Sequence, residues 1–208
     1  MSEDRPAALI PATPGASGLL ARVAGGEARA ARERRLVREA QRGSVEAVEA
    51  LFRREWPRAY RAAYLVVHDA AAAEDIAQEA FLSAVRALDR FDRRRPFGPW
   101  MHRIVVNRAI DVARSVALRR EVDEAAAATE QAPPDRPSLP FSSELIQALR
   151  ALGPEQRAIV ALRFLFDYTP GEIAKALELP RGTVNSRLRR ALDRLGEILA
   201  AEAVEEAR

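Results

Sequence analysis

Apolar residues return along this chain at intervals of three and four, the spacing of one face of an α-helix, and no stretch alternates as a half-buried strand would. Leu36, Val37 and Ala40 share the first such face. Gly43 and Ser44 then read as a stop and an N-cap, after which Val48, Leu51, Phe52, Tyr60, Ala63, Tyr64 and Val67 recur at helical spacing. Pro57 falls inside that stretch and predicts a kink or an interruption. Asp69 is placed to cap a following helix with a face of Ile76, Ala80, Phe81, Val85 and Leu88. A basic loop, Asp92-Arg-Arg-Arg-Pro-Phe-Gly-Pro99, leads into a helix carrying Trp100, Ile104, Val105 and Ile110. Residues 29–115 therefore predict one compact helical domain.

The pattern lapses on either side of that domain. Residues 1–28 are rich in Ala, Pro and Gly and predict a disordered tail. Residues 116–140 pass from Ala-rich acidic sequence into Ala132-Pro-Pro-Asp-Arg-Pro-Ser-Leu-Pro140, which predicts a linker of extended tendency. Residues 141–208 predict a second helical domain. Its first helix runs from about Ser143 to Leu152, and Pro154 suits the first turn of a second that continues to about Phe166. Thr169-Pro-Gly-Glu172 is a capping box that opens a short helix, Glu172 to Leu177. Residues 178–182 form a turn, and Thr183 starts the last helix. The fold class is all-α: two small helical domains, the second a helix-turn-helix, joined by a flexible linker.

A short capped helix, a tight turn and a longer basic helix make the helix-turn-helix arrangement. At about 100° per residue, Val184, Leu188, Leu192, Leu195, Ile198 and Leu199 share one face of the final helix. Thr183, Ser186, Arg190 and Arg194 fall roughly opposite, with Arg187 and Arg189 on the flanks. From Arg181 to Leu195 there are five arginines and one acid, Asp193. Such a helix can lay its polar N-terminal half in a major groove while its other face packs into the domain. An ordinary amphipathic surface helix has the same periodicity; the capping box and the short helix before it favour the DNA-binding reading.

Composition changes this picture little. The formal net charge of +3 says nothing decisive about partners, but all but one of the 33 Lys and Arg residues are arginine, Lys175 being the exception. Guanidinium groups suit bidentate contact with phosphates and guanine edges. There is no cysteine, which excludes disulfides and thiolate zinc sites in this chain. No apolar run approaches a membrane span, and the acidic start Met1-Ser-Glu-Asp-Arg-Pro is unlike a secretory signal, so a soluble cytoplasmic protein is expected. His68 and His102 are isolated in sequence, and no Gly-rich phosphate loop or nucleophile motif is present. An enzyme, a metal site and a cofactor are therefore not expected.

The second domain resembles region 4 of extracytoplasmic-function sigma factors of the sigma-70 family. The resemblance is carried by Leu152-Gly-Pro-Glu-Gln-Arg157, Leu162-Arg-Phe164, Glu172-Ile-Ala174 and Gly182-Thr-Val-Asn-Ser-Arg-Leu188. Stand-alone helix-turn-helix regulators share parts of the last motif. What separates them is the first domain, where Glu74-Asp-Ile-Ala-Gln-Glu-Ala-Phe-Leu82 and Trp100-Met-His-Arg-Ile-Val-Val-Asn107 resemble region 2 of the same family.

This resemblance implies promoter-specific transcription initiation, with RNA polymerase doing the chemistry. Region 2 would bind the clamp helices of the largest polymerase subunit through Asp75, Gln78 and Glu79, with Phe81 and Leu82 nearby. The three polar residues share a helix face at i, i+3, i+4. Region 2 would also hold the opened −10 strand, whose unstacked bases need aromatic surfaces and edge hydrogen bonds. Phe91, Ile104 and Asn107 would line the base pocket over Ala87, with Trp100 anchoring the loop. Arg93, Arg94, Arg95, Arg103 and Arg108 would meet phosphates. Region 4 would read the −35 duplex with Arg163, Arg181, Thr183, Asn185, Ser186, Arg187, Arg189 and Arg190, and would contact the polymerase β flap. Family members often carry Arg where Asn185 stands, so the −35 sequence does not transfer from relatives. An anti-sigma protein is a usual partner in the family.

Overall fold

The computed structural model describes residues 16–122 and 141–206. Among them are eight α-helices and no strand: α1 (Ala16–Ala40), α2 (Val45–Val67), α3 (Ala70–Ala87), α4 (Phe97–Val122), α5 (Ser143–Arg150), α6 (Pro154–Phe164), α7 (Pro170–Leu177) and α8 (Arg181–Glu206). A 3-10 turn, Leu88–Arg90, follows α3. Residues 1–15 of the expected tail and 123–140 of the expected linker lie outside the described residues. Helix α1 nevertheless begins within the span read as tail, and α4 runs past Ser115 into the span read as linker. The residues past Ser115 are mainly Ala, Leu and Arg, with little intrinsic cost in a helix, whereas the start of α1 is helical despite Gly18, Gly25 and Gly26.

Local chemistry sets four of the eight helix starts. Ser44, Asp69, Ser142 and Thr169 are extended N-cap residues whose side chains accept backbone N–H groups of the first turns. Of the two outcomes its ring predicts, a kink or an interruption, Pro57 does not produce the interruption: α2 runs through it unbroken. It sits on the exposed side of the helix, where the carbonyl it orphans faces water and not the core. Helix α6 ends at Phe164, and α8 starts at Arg181, two residues before Thr183.

Helix α2 is the centre of the molecule. It packs against α1, α3 and α4 on one side and against α6 on the other. Its Ala59, Ala62 and Ala63 share a core cluster with Ala73, Ala77, Ala80 and Ala84 of α3, all at most 1% exposed. Small side chains let two helices approach closely, so this core is dense but intolerant of added volume. Larger residues fill the rest: Leu51, Met101, Val105 and Val106 are buried around the same centre.

The two halves of the chain pack on each other. Leu65 of α2 joins Leu149, Leu152, Val160 and Leu195 in a single buried cluster. Nearby, the His102 ring of α4 stacks on Phe166 with centroids 3.7 Å apart, and its Nδ1 lies 3.2 Å from the Tyr168 hydroxyl.

Candidate nucleic-acid interface

Helix α3 buries Ala73, Ile76, Ala77, Ala80, Phe81 and Ala84 and leaves the opposite face to solvent. Asp75, Gln78 and Glu79 stand exposed there, with Gln78 donating to Glu74 at 3.3 Å. Leu82 is 54% exposed and Val85 38%. Val85 thus leaves the apolar face the periodicity gave it and extends Leu82 into a short apolar strip beside the acids. Phe81 belongs to the core instead: it meets Phe52 edge-on at 4.8 Å and cannot present its ring to a partner without leaving that contact.

The loop before α4 is built on aromatic packing. Phe91 is buried, 4.6 Å from Trp100 and 5.9 Å from Phe97 between ring centroids, and Trp100 lies 5.6 Å from Phe97. Trp100 and Ala87 are half-buried, while Arg93, Arg94 and Arg95 are exposed on the turn between. Asp92 makes that turn, accepting the Arg94 N–H at 3.0 Å on Oδ1 and the Arg95 N–H at 2.9 Å on its carbonyl. Ile104 and Asn107 follow on α4, half-buried, and Arg108 pairs with Glu79 of α3 at 2.7 Å.

Beneath this surface lies a charged network that periodicity does not reveal. Glu33 of α1 accepts the Phe97 N–H at 2.6 Å and pairs with Arg54. Arg54 also reaches Glu55 at 3.1 Å, and Glu55 lies 3.4 Å from His102. Glu33, Glu55 and His102 are the buried polar residues among those described. Burial pushes the Glu55 carboxyl up, but His102, Arg54 and Arg58 outweigh it and hold Glu55 below the ordinary value. Burial pulls His102 below the ordinary imidazole value despite the opposing pull of Glu55. The ring is therefore neutral at neutral pH. The sequence did carry one sign of this network: Glu33 precedes Val37 by one helical turn, and Glu55 falls between Leu51 and Ala59 on an otherwise apolar face.

In the second half, Thr169 donates its N–H to Glu172 at 2.8 Å and receives the Glu172 N–H at 3.3 Å, closing the expected capping box. Glu178 ends α7 in a left-handed conformation with φ 54°. Helix α8 buries Val184, Ala191 and Leu195 and leaves Leu192 41% exposed, so Ala191 takes the core place the helical wheel gave to Leu192. Arg181, Asn185, Arg189 and Arg190 are exposed; Thr183, Ser186 and Arg187 are half-buried. The Ser186 hydroxyl donates to the Thr183 carbonyl at 3.0 Å, which occupies part of its bonding capacity. Arg163 is half-buried against its own domain, 5.8 Å from the Phe164 ring centre and donating to the Tyr168 carbonyl at 3.4 Å.

The expected −10 and −35 residues are not all free in this arrangement. Asn107 of α4 and Arg187 of α8 line one interdomain cavity of about 300 Å³, with Asp111, Arg114 and Glu155 beside them. Arg103 pairs with Glu178 and Arg114 with Glu155 across the same junction. Among the described residues no group of three or more His, Asp or Glu could hold a metal, and no helix is long and apolar enough to cross a membrane.

Comparison with known proteins finds a match to Sigma-70 region 2 over residues 51–120 and to Sigma-70, region 4 over residues 142–195. The chain is 32% identical over 149 residues to the ECF RNA polymerase sigma factor SigW of Bacillus subtilis, covering 65% of this chain and 80% of that one. It is 32% identical over 179 residues to the ECF RNA polymerase sigma factor BldN of Streptomyces coelicolor, covering 83% and 68% respectively. Among solved structures, CnrH in complex with the cytosolic domain of CnrY aligns with a TM-score of 0.61 at 26% identity, over 81% of this chain and 97% of that chain.

Proposed function

This chain belongs to the extracytoplasmic-function sigma factors of the sigma-70 family, which give RNA polymerase its choice of promoter, and from that premise we propose how its residues divide the task. Region 2 spans residues 29–115 and region 4 spans 141–208, with 116–140 as the link between them. The exposed face of α3, with Asp75, Gln78, Glu79 and Leu82, docks on the polymerase clamp helices, and Val85 extends its apolar part. The loop at Arg93, Arg94 and Arg95 and the face of α4 bearing Ile104, Asn107 and Arg108 take the opened −10 strand. Arg181, Asn185, Arg189 and Arg190 of α8 read the −35 duplex, with Arg187 joining them once it leaves the interdomain cavity.

The observation that supports this division best is the opposite character of two exposed faces. Helix α3 offers carboxylates and two apolar side chains, unsuited to DNA but suited to a basic protein surface. Helix α8 offers guanidinium groups at the N-terminal end of a helix that follows a capped turn, as duplex readers do. The protein works in the cytoplasm with core polymerase, carries no catalytic chemistry of its own, and is held in check by an anti-sigma protein. CnrH, seen with the cytosolic domain of CnrY, gives a precedent for a protein partner.

In vitro transcription with core polymerase and genome-wide start-site mapping tests the reading. Specific starts that depend on the chain are expected. Arg190→Ala should weaken −35 duplex binding while core binding stays intact. Absence of any specific start on native genomic fragments would refute the sigma reading, and loss of core binding in Arg190→Ala would refute the division of labour.

A further inference from the structure

Helix α1 lies N-terminal to the residues matched to region 2, yet it reaches both ends of the loop that bears Phe91 and Arg93–Arg95. Gln41, in the turn closing α1, donates from its Nε2 to the Leu88 carbonyl at 2.8 Å and to the Phe91 carbonyl at 3.0 Å. Glu33, two helical turns earlier, accepts the Phe97 N–H at 2.6 Å. These bonds span 47, 50 and 64 residues of sequence. Between the two anchors, Asp92 turns the loop through its bonds to the Arg94 and Arg95 N–H groups.

The chemistry of each anchor is specific. The Phe97 N–H is one of the first-turn donors of α4 that no intrahelical carbonyl can satisfy, and it is buried, so leaving it unpaired is costly. A carboxylate from another helix meets it at the positive end of the α4 dipole. Glu33 is only 8% exposed, and Arg54 balances its charge. Past the end of α3 the Leu88 carbonyl already takes the Phe91 N–H of the 3-10 turn at 3.0 Å, and one amide nitrogen of Gln41 adds a second bond to it and meets the Phe91 carbonyl as well. A glutamine side chain is the group that can do this, since it offers two N–H donors on one atom.

We propose that Gln41 and Glu33 are positioning residues for capture of the opened −10 strand. They fix the backbone at both ends of a short loop, and so set where Phe91 and the three arginines stand relative to Trp100 and Asn107. A loop held at one end only would place phosphate-binding guanidiniums with an error larger than hydrogen-bond geometry tolerates. The inference rests on the reading of this loop and α4 as the −10 site.

The test uses the holoenzyme and a promoter recovered by the start-site mapping above. Gln41→Glu keeps the shape of the side chain, removes both donors and sets a carboxylate against two carbonyl oxygens. It is expected to weaken binding of the single-stranded −10 non-template oligonucleotide about tenfold and to slow opening of the duplex promoter by a similar factor. Affinity for core polymerase and for the −35 duplex should match the native chain. Gln41→Ala, lacking the repulsion, should fall between the two. Glu33→Gln, which keeps an acceptor for Phe97, should retain more −10 binding than Glu33→Ala. If Gln41→Glu does not fold, Gln41→Ala and Glu33→Ala carry the same comparison well below their own melting midpoints. Native −10 binding in these variants overturns the proposal. So does a uniform fall in −10, −35 and core binding that tracks lost stability, which is the signature of a purely structural role. Failure of the native chain to direct specific starts is a different result and strikes the −10 reading itself.

Discussion

His68 ends α2 in a left-handed conformation, φ 56°, with its backbone N–H on the Tyr64 carbonyl at 2.8 Å. Its ring lies at the junction of α2 with the second domain. Burial there, reinforced by the Arg157 and Arg150 guanidiniums, lowers its pKa from 6.5 to about 3. The unfolded chain therefore takes up this proton first. Stability is fully present above about pH 7 and declines as pH falls from about 6.5 toward about 3. Between about pH 7.5 and about pH 5.5 the loss from His68 alone is on the order of 1 kcal/mol, or about 2–4 °C in melting midpoint for a chain of this size. His68→Asn removes the titration and keeps a residue that tolerates the left-handed cap. Urea or thermal unfolding of both chains at the two pH values reads the difference. His102, also lowered by burial, adds a loss of the same sign to each chain and cancels in the comparison. Glu55 stays out of this window, because its stabilising charge is lost only below the ordinary carboxylate value of 4.5. Parallel losses in the native and His68→Asn chains would refute the assignment of the acid sensitivity to this ring.

Three further outcomes are expected. Ala77→Leu adds volume where α2 and α3 meet with no exposed surface, and should cost about 1–3 kcal/mol in chemical unfolding. Thr169→Ala opens the capping box of α7 and should cost about 1 kcal/mol, measured in the same way; an unchanged midpoint would deny the cap a role. Phe166→Ala removes the ring stacked on His102, and the free chain should show a larger radius of gyration in small-angle X-ray scattering, with Tyr168→Phe giving a smaller increase. An unchanged radius in both variants would show that these aromatics do not hold the two halves together.

The parts of the molecule governed by neighbours in sequence were legible before the structure. Ser44, Asp69 and Thr169 each act through a residue three positions away, so their caps can be read directly. The same locality explains the errors. Whether Pro57 breaks α2 depends on which side of the helix meets solvent, and whether Leu192 or Ala191 is buried depends on how closely α8 approaches its neighbours. The resemblance assigned both Phe81 and Phe91 to partners, yet both are committed to aromatic packing. Gln41 and Glu33 as positioning groups, and Glu55 as part of the buried charged network, could not be assigned from sequence because their partners are distant in sequence or belong to other helices. Only the oddity of a carboxylate on an apolar face pointed to the last two.

The docking of the two halves also sets a length. Promoter elements centred near −10 and −35 are about 25 base pairs apart, or ~85 Å along B-DNA at 3.4 Å per pair. Halves that share Leu65, Phe166 and His102 in common contacts cannot occupy both elements at once, so engagement requires their separation. The peptide between Val122 and Phe141 can then bridge at most about 65 Å when fully extended, with the widths of the two domains making up the remainder. Each residue of that peptide adds about 3.4 Å of reach, nearly the rise of one base pair. The residue count of the link thus sets a ceiling on the spacer this factor can span, and shortening the link lowers that ceiling by roughly one base pair per residue.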